Sequence, residues 1–457
     1  MAIHTACDDR EVEATTERRP RPRQGQELEL EIDSLAQGGR GVARANGYVV
    51  FVAGALPGDR VRVRLQKSKR AYAEGSVVEL LRPGADRIPD RCLHDSEPCP
   101  GAPWQGLPYE RQLTEKHAQV ADALTRLGGV EGFALEPIEP AIDQWRYRNK
   151  LEYSFGERDG EPTLGFHRRG SWHEVVGIDD CLLASEANNR ARNEVRDWAR
   201  RESLTAYDRR ARDGALRNLV VREGRRTGQV QTRLVTSAVE IPRPPVDLHT
   251  IVEGSGSGTD GPTGALGDAY LEERVGDLQL QVAPRAFLQT NTEMAEHLYG
   301  IAADFAALTG SERLFDFYCG IGTIGLALAS RAGEVWGLES VPEAVEDAEE
   351  NARRNQIGNA RFACADARLG IRPLLERAGS PDVVIVDPPR AGLSKKIVRR
   401  ILECAAPRIV YVSCNPTTLA PNAAQLVEAG YTLRRVKPVD MFPQTAHVEC
   451  VALLERD

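Results

Sequence analysis

The residues with the plainest chemical potential stand at the ends of hydrophobic runs in the last third of the chain. In Val410-Tyr-Val-Ser-Cys-Asn-Pro-Thr-Thr418 an apolar run stops at Ser413, Cys414 follows, and Pro416 fixes the chain two residues on. A thiol at a strand tip can be aimed at a substrate as a nucleophile; the plainer alternative is a small core residue. Upstream, Asp316-Phe-Tyr-Cys-Gly-Ile-Gly-Thr-Ile-Gly325 reads as a strand, a glycine turn and a helix. Gly320 and Gly322 let a ligand approach bare backbone, and Gly325 lets helix and strand close up. Glu339 ends the next strand, where a carboxylate can accept from both hydroxyls of a ribose. Asp366 ends the third, where a carboxylate or amide could meet an adenine edge. These ends suit a nucleoside cofactor, with a dinucleotide and S-adenosylmethionine both open; surface acids are the bland reading of Glu339 and Asp366. The fourth strand end, VVIVDPPRAGLSKK, favours the methyl donor. There Asp387 sits at the tip, Pro388 and Pro389 stiffen the loop, and Arg390 is free to reach an anion.

Positioning these groups needs a sheet whose strands end together. RLFDFY, EVWGLE, ARFACAD, DVVIVD and RIVYVS alternate with helical stretches after about residue 285, and a last pair lies at YTLRRVKPVD and HVECVALLE. This predicts a doubly wound, Rossmann-like α/β sheet over 283–457 with ligands at the carboxyl ends of its strands. Residues 25–83 alternate polar and apolar between Gly-rich corners, which predicts a small β-barrel of oligonucleotide-binding size. Residues 84–282 predict a mixed α+β central domain. It opens on a Pro-rich loop, then a helix with Leu113, Val120, Leu124 and Leu127 on one apolar face, ended by Gly128 and Gly129. Antiparallel strands follow over 145–240 with a helix near 185–203, then a flexible connection at 254–268. Residues 1–24 are expected to form a disordered arm.

At 457 residues the chain is too long for one core. No window approaches the ~20 apolar residues that span a bilayer, and the first residues lack the apolar core of a secretion signal, so a cytoplasmic setting without membrane contact is expected. The net charge of -8 argues against a general nucleic-acid binder, yet the distribution matters more. Arg60, Arg62, Arg64, Lys67, Lys69 and Arg70 run together with no acid among them, and Trp145-Arg-Tyr-Arg-Asn-Lys150 interleaves aromatics with cations. Two such groups in an acidic chain point to a local phosphate-binding surface. The nine cysteines are odd in number and irregular in spacing, so reduced, metal-binding or catalytic roles are expected over disulfides.

DFYCGIGTIGL, VDPPRAG, SCNP and the late HVE together resemble the RNA uracil-C5 methyltransferase family, and residues 25–83 resemble its N-terminal TRAM barrel. The resemblance implies a class I fold and transfer of a methyl group from S-adenosylmethionine to uridine C5 in RNA, giving 5-methyluridine. It implies Cys414 as the nucleophile at C6 and Glu449 as acceptor of the C5 proton. Gln289, Tyr318, Glu339 and Asp387 match cofactor contacts, and Asp366 stands where some members place a carboxylate or amide toward adenine. Thr323 is left out, because other members carry Asn there. The target base is expected to leave its stack, with Arg60, Arg62, Arg64, Lys67 and Lys69 holding phosphates nearby.

Members with a four-iron cluster carry three cysteines in one loop and a fourth downstream. Here Cys92, Cys99 and Cys181 match and the third loop position is Ala102, so the cluster is expected to be absent or labile, with His94 as the conceivable substitute ligand. Members with the TRAM-plus-cluster layout imply 23S ribosomal RNA as the partner, with the T-loop of transfer RNA next; no obligate protein partner is implied. Two other classes stay open: an RNA-folding protein with vestigial catalysis, and methylation of an exocyclic amine, which has no use for a thiol at position 414.

Overall fold

The computed structural model describes residues 21–92, 99–171, 173–237, 240–244, 250–254, 264–267 and 270–456. The expected arm at 1–24 falls mostly outside the described residues, as do His94 and residues 255–263 of the expected connection. The chain divides into two compact units, Met1–Arg87 and Ile88–Asp457.

The first unit holds β1 (Glu27–Glu31), β2 (Ser34–Leu35), β3 (Gly41–Ala45), β4 (Tyr48–Ala53), β5 (Arg60–Ser68) and β6 (Tyr72–Arg82). They form one sheet in the order β1-β5-β6-β4-β3-β2. The alternation read from the sequence is the packing alternation: Val61, Val63 and Leu65 of β5 point into a core with Leu30, Val50 and Ala73, while Arg60 and Arg64 stay outside.

The second unit begins with α1 (Tyr109–Asp122), which runs on through a π-helical turn, Ala123–Leu127, to Gly128. Val120 and Leu124 are buried as expected, but the rest of the buried face differs. Gln112, Lys116, Gln119 and Val120 face inward, and Leu127 is 62% exposed. After β7 (Ala134–Leu135) come β8 (Lys150–Arg158), β9 (Glu161–His167), β10 (Val175–Gly177), α2 (Glu186–Arg201), β11 (Leu216–Glu223), β12 (Val230–Thr236), β13 (Thr250–Gly254) and β14 (Gly264–Leu266). These strands form a sheet in the order β10-β9-β8-β11-β12-β13-β14, antiparallel save for β12 with β13. The described ends of the expected 254–268 connection are therefore strands rather than linker.

A hairpin, β15 (Leu271–Val275) and β16 (Leu278–Val282), leads to α3 (Thr292–Ala306). The alternating part follows as β17 (Arg313–Phe317), α4 (Thr323–Leu328), β18 (Glu334–Glu339), α5 (Pro342–Arg354), β19 (Ala360–Cys364), α6 (Ala367–Ala378), β20 (Val383–Val386), α7 (Lys395–Glu403), β21 (Arg408–Ser413), α8 (Pro416–Glu428), β22 (Thr432–Val439) and β23 (Glu449–Glu455). The sheet order is β19-β18-β17-β20-β21-β23-β22-β7. It is parallel as far as β21, and β23 runs antiparallel to both its neighbours. Both faces are buried, so the strands read as apolar runs. Leu314, Ile385, Val410 and Val412 pack on one side with α3 and the hairpin. Phe315, Phe317, Val384, Val386, Ile409 and Tyr411 pack on the other with α1, α7 and α8. Chain order 3-2-1-4-5-7-6 puts a topological switch point between β17 and β20, where the crevice for a ligand opens. Among the described residues no helix is long and apolar enough to cross a membrane.

Candidate active site

The turn after β17 forms the floor of a small cavity lined by Phe287, Leu288, Gln289, Tyr299, Tyr318, Cys319, Gly320, Ile321, Thr323, Ile324 and Asp387. Tyr318, Gly320 and Gly322 all take left-handed backbone angles, at φ 65°, 54° and 84°. A side chain at Gly320 would meet nothing within 4 Å, so its bare backbone faces open space. Gly325 is tight: a Cβ there would lie 2.9 Å from Asp316 Oδ2, the oxygen that accepts the Gly325 amide at 2.8 Å. Glu339 accepts from Gly320 N at 3.1 Å through one oxygen and from Ser340 N and Val341 N through the other. Asp366 caps α6 by accepting from Arg368 N at 3.0 Å and stays exposed toward the cavity's Tyr318 side.

The sequence reading missed Asp316. It is buried beneath the turn, burial pushes its carboxyl up to about 7, and its Oδ1 has no hydrogen-bond partner among the described residues. An orphaned acceptor, an unfilled glycine cradle and a carboxylate at the second strand end fit a cofactor carrying a ribose and a cationic head. A larger recess lined by Val275, Glu296, Arg331, Asn355 and Asn359 shares only Tyr299 with this cavity and holds none of the predicted residues.

Cys414 follows the tip of β21, half-buried, one strand over from Asp387, which follows the tip of β20. Antiparallel register pairs Ser413 with Cys450, which sets Glu449 across from Cys414. The turn is built by Asn415, whose side chain caps α8 on Thr417 N at 3.1 Å and donates to the Arg390 carbonyl at 3.3 Å. Asn422 of α8 closes the Asp387 loop from below, accepting from Leu393 N at 2.8 Å and the Tyr411 hydroxyl at 3.0 Å.

An unperturbed thiol is already partly ionised near neutrality; here burial, then Glu449, then Asp387 push Cys414 up to about 11, against Arg390 and a backbone hydrogen bond. Burial, reinforced by Asp387, raises Glu449 to about 8, and burial raises Asp387 to about 7. Without a ligand the site is a proton-holding pocket. Beside it, Arg390 meets His447 Nδ1 at 3.4 Å, His447 stands edge-on to Phe442, and Arg148 lies 5.7 Å above the Phe442 ring. Burial and these cations hold His447 at about 4, hence neutral. Phe442 and His447 carried no signal in the sequence because a loop residue's neighbours are set only by the fold.

The basic run of β5 is less free than it reads. Register sets Glu27, Glu29 and Glu31 of β1 opposite Arg64, Arg62 and Arg60. Arg64 pairs with Glu27 at 2.7 Å, Arg60 with Glu29 at 3.1 Å, Arg62 with Glu79 at 2.5 Å and Lys67 with Glu74 at 3.4 Å. Lys69 and Arg70, in the β5–β6 turn, have no carboxylate partner among the described residues. Exposed pairs of this kind contribute roughly 0–1 kcal/mol each, so a phosphate can replace the carboxylate.

Cys99 and Cys181 share an apolar cluster with Ala102, and Cys92 lies close enough to raise the Cys99 thiol, which burial and Cys181 push up to about 11. Among the described residues no group of three His, Cys, Asp or Glu is placed to hold a metal. The residues do not fit a four-iron cluster, which four thiolates normally hold: the methyl group of Ala102 stands at the third loop position, leaving three cysteines.

A family model described as tRNA (uracil-5-)-methyltransferase matches residues 270–457, and the TRAM domain model matches 21–78. An uncharacterised RNA methyltransferase of Halalkalibacterium halodurans is 36% identical, covering 94% of this chain and 96% of its own. Another, of Thermosynechococcus vestitus, is 38% identical over 93% of this chain and 97% of its own. Among solved structures, the Pyrococcus abyssi tRNA (uracil-54, C5)-methyltransferase in complex with S-adenosyl-L-homocysteine superposes with TM-score 0.77 at 29% identity, over 93% of this chain and 99% of that one.

Proposed function

The chain belongs to the RNA uracil-5 methyltransferase family, and on that premise we propose that it methylates C5 of one uridine in a structured RNA through a covalent bond from Cys414 to C6. S-Adenosylmethionine, when bound, supplies an electrophilic methyl group. The single observation that carries the reading is the register of β21 against β23, which faces the thiol with a buried carboxyl. Uracil C5 is a weak nucleophile; addition of the Cys414 thiolate at C6 turns it into an enolate carbon able to take up the donated methyl group, and Glu449 then removes the C5 proton as the C5–C6 double bond re-forms and the thiolate leaves. Asp387, Glu449 and Cys414 each ionise more readily beside a cation, so this pocket is matched to a positively charged methyl donor. Gln289, Tyr318, Glu339, Asp366 and Asp387 are the residues to hold it, Glu339 through the ribose. Arg60, Arg62, Arg64, Lys67 and Lys69 then serve RNA phosphates by exchanging carboxylate for phosphate. The setting is cytoplasmic, where reduced thiols and structured RNA coexist.

The TRAM-plus-cysteine layout supports 23S ribosomal RNA as the substrate. Transfer RNA is the second reading, favoured by the likeness to the Pyrococcus abyssi enzyme over nearly the whole chain. The test is methyl transfer from labelled cofactor to a large-subunit fragment and to a transfer RNA, followed by nucleoside digestion, with Cys414→Ala alongside. Label in 5-methyluridine from one transcript, lost in the variant, is expected. Label in an aminated base would move the activity to exocyclic amines, and full activity of Cys414→Ala would overturn the covalent route.

A further inference from the structure

The loop between β22 and β23 carries Phe442 and His447 and delivers Glu449 to the site. It is gripped from outside at four successive carbonyls. Met441 O accepts from Asn291 Nδ2 at 3.1 Å, Phe442 O from Lys116 Nζ at 3.0 Å, Pro443 O from the Tyr147 hydroxyl at 3.1 Å, and Gln444 O from Trp104 N at 3.0 Å. α1 supplies most of the remaining grip. Gln112 Nε2 donates to Gln444 Oε1 at 2.9 Å and Gln112 Oε1 accepts from Gln444 N at 2.9 Å. Lys116 Nζ meets Asp440 Oδ1 at 2.5 Å, and the Tyr109 hydroxyl donates to Asp440 Oδ2 at 2.9 Å. Lys116, Gln112 and Asp440 are fully buried.

A buried ion pair is a poor route to stability, because desolvation offsets most of the attraction and apolar packing does as well. What the pair does supply is direction. It fixes where Asp440 and the Phe442 carbonyl lie, and Gln444 is held in a left-handed turn at φ 67° by the same helix. We propose that Lys116 and Gln112 of α1, acting through Asp440 and Gln444, position the loop so that Glu449 meets the C5 proton. The inference rests on the reading of Glu449 as proton acceptor. The nucleophile is supported separately: among the described residues the hydrogen bonds of the Cys414 turn run to Arg390 and within the turn, none to α1.

This separation splits the reaction in two. The Sγ–C6 bond forms as C5 gains its methyl group. Glu449 then takes the C5 proton, that electron pair re-forms the C5–C6 double bond, and Sγ leaves C6 as thiolate. A loop that is out of place leaves the methylated adduct standing. The experiment compares wild type, Asp440→Asn and Gln112→Leu on the transcript that wild type methylates, reading kcat, KM for RNA, and the protein–RNA species that survives SDS. Both variants should lower kcat about 10- to 100-fold with KM within about twofold, while the adduct, transient in wild type, accumulates. Gln112→Leu removes no charge and keeps the test open where Asp440→Asn does not fold. Adduct and turnover falling together, no change in either, or failure of both variants to fold would overturn the positioning role. Turnover by Cys414→Ala would instead overturn the covalent reading beneath it.

Discussion

Replacing Glu449 with Gln should stabilise the ligand-free enzyme at alkaline pH, although it removes the proposed base. Glu449 is 3% exposed, and its side chain has no hydrogen-bond partner among the described residues, so the isosteric amide loses no contact. Burial, with Asp387 adding to it, raises the carboxyl from 4.5 to about 8. A raised carboxyl pKa means that the folded state holds its proton more tightly than the unfolded state. Stability is therefore full below about 4.5 and falls as pH rises toward 8. The difference between the two values corresponds to at most about 5 kcal/mol by pH 9 at 1.36 kcal/mol per unit. Water entering the pocket relaxes this to about 2 kcal/mol. With an unfolding entropy of ~2.1 cal/mol/K per residue over the second unit, 2 kcal/mol is worth roughly 2–3 °C. Melting curves of wild type and Glu449→Gln from pH 5 to pH 9 should thus coincide at the acid end and diverge upward, the variant melting higher. A variant that melts lower at every pH, or a gap that does not change with pH, would show that the carboxyl is not held against its preference for water.

The same pocket predicts that alkylation of Cys414 in the ligand-free enzyme is slow at pH 7.5, where a thiol at about 11 is ionised in fewer than ~1 in 1,000 molecules. Its rate should keep rising beyond pH 9, and mass spectrometry of the labelled peptide against pH checks this. Gly325→Ala should cost about 1–3 kcal/mol and abolish cofactor binding, since its Cβ would stand 2.9 Å from Asp316 Oδ2 and 3.0 Å from Val335 Cγ1; calorimetry with S-adenosylhomocysteine and a melting curve measure both. Replacing Glu27, Glu29 and Glu79 with Gln should release three arginines and tighten RNA binding, with a steeper salt dependence of the affinity. Filter binding from low to moderate salt reads this, and an unchanged slope would count against phosphate contact there.

What could be read from the sequence was local. The glycine turn after β17, the strand-tip acids and Cys414 announce themselves because strand, turn and helix alternate within a few residues. Burial on both faces of the sheet also makes β20 wholly apolar and leaves β17 and β21 mostly so. The illegible part depends on distant partners. α1 was expected to turn Leu113 and Leu127 inward, yet Gln112 and Lys116 are buried because their partners, Gln444 and Asp440, lie more than 300 residues later. The run from Arg60 looked unopposed because its acids arrive on a different strand. The thiol's proton affinity could not be read from Cys414 alone, since it is set first by burial, then by Glu449 of β23 and Asp387 just past β20.

The most direct test of the central claim uses RNA carrying 5-fluorouridine, whose fluorine cannot leave as the proton does, so that the covalent intermediate persists. The enzyme, S-adenosylmethionine and fluorinated transcript are incubated, denatured, digested and mapped by mass spectrometry. A methylated nucleotide attached to the peptide containing Cys414 is predicted, absent in Cys414→Ala. Methylation of unmodified RNA with no such adduct, or an adduct on another residue, would contradict it.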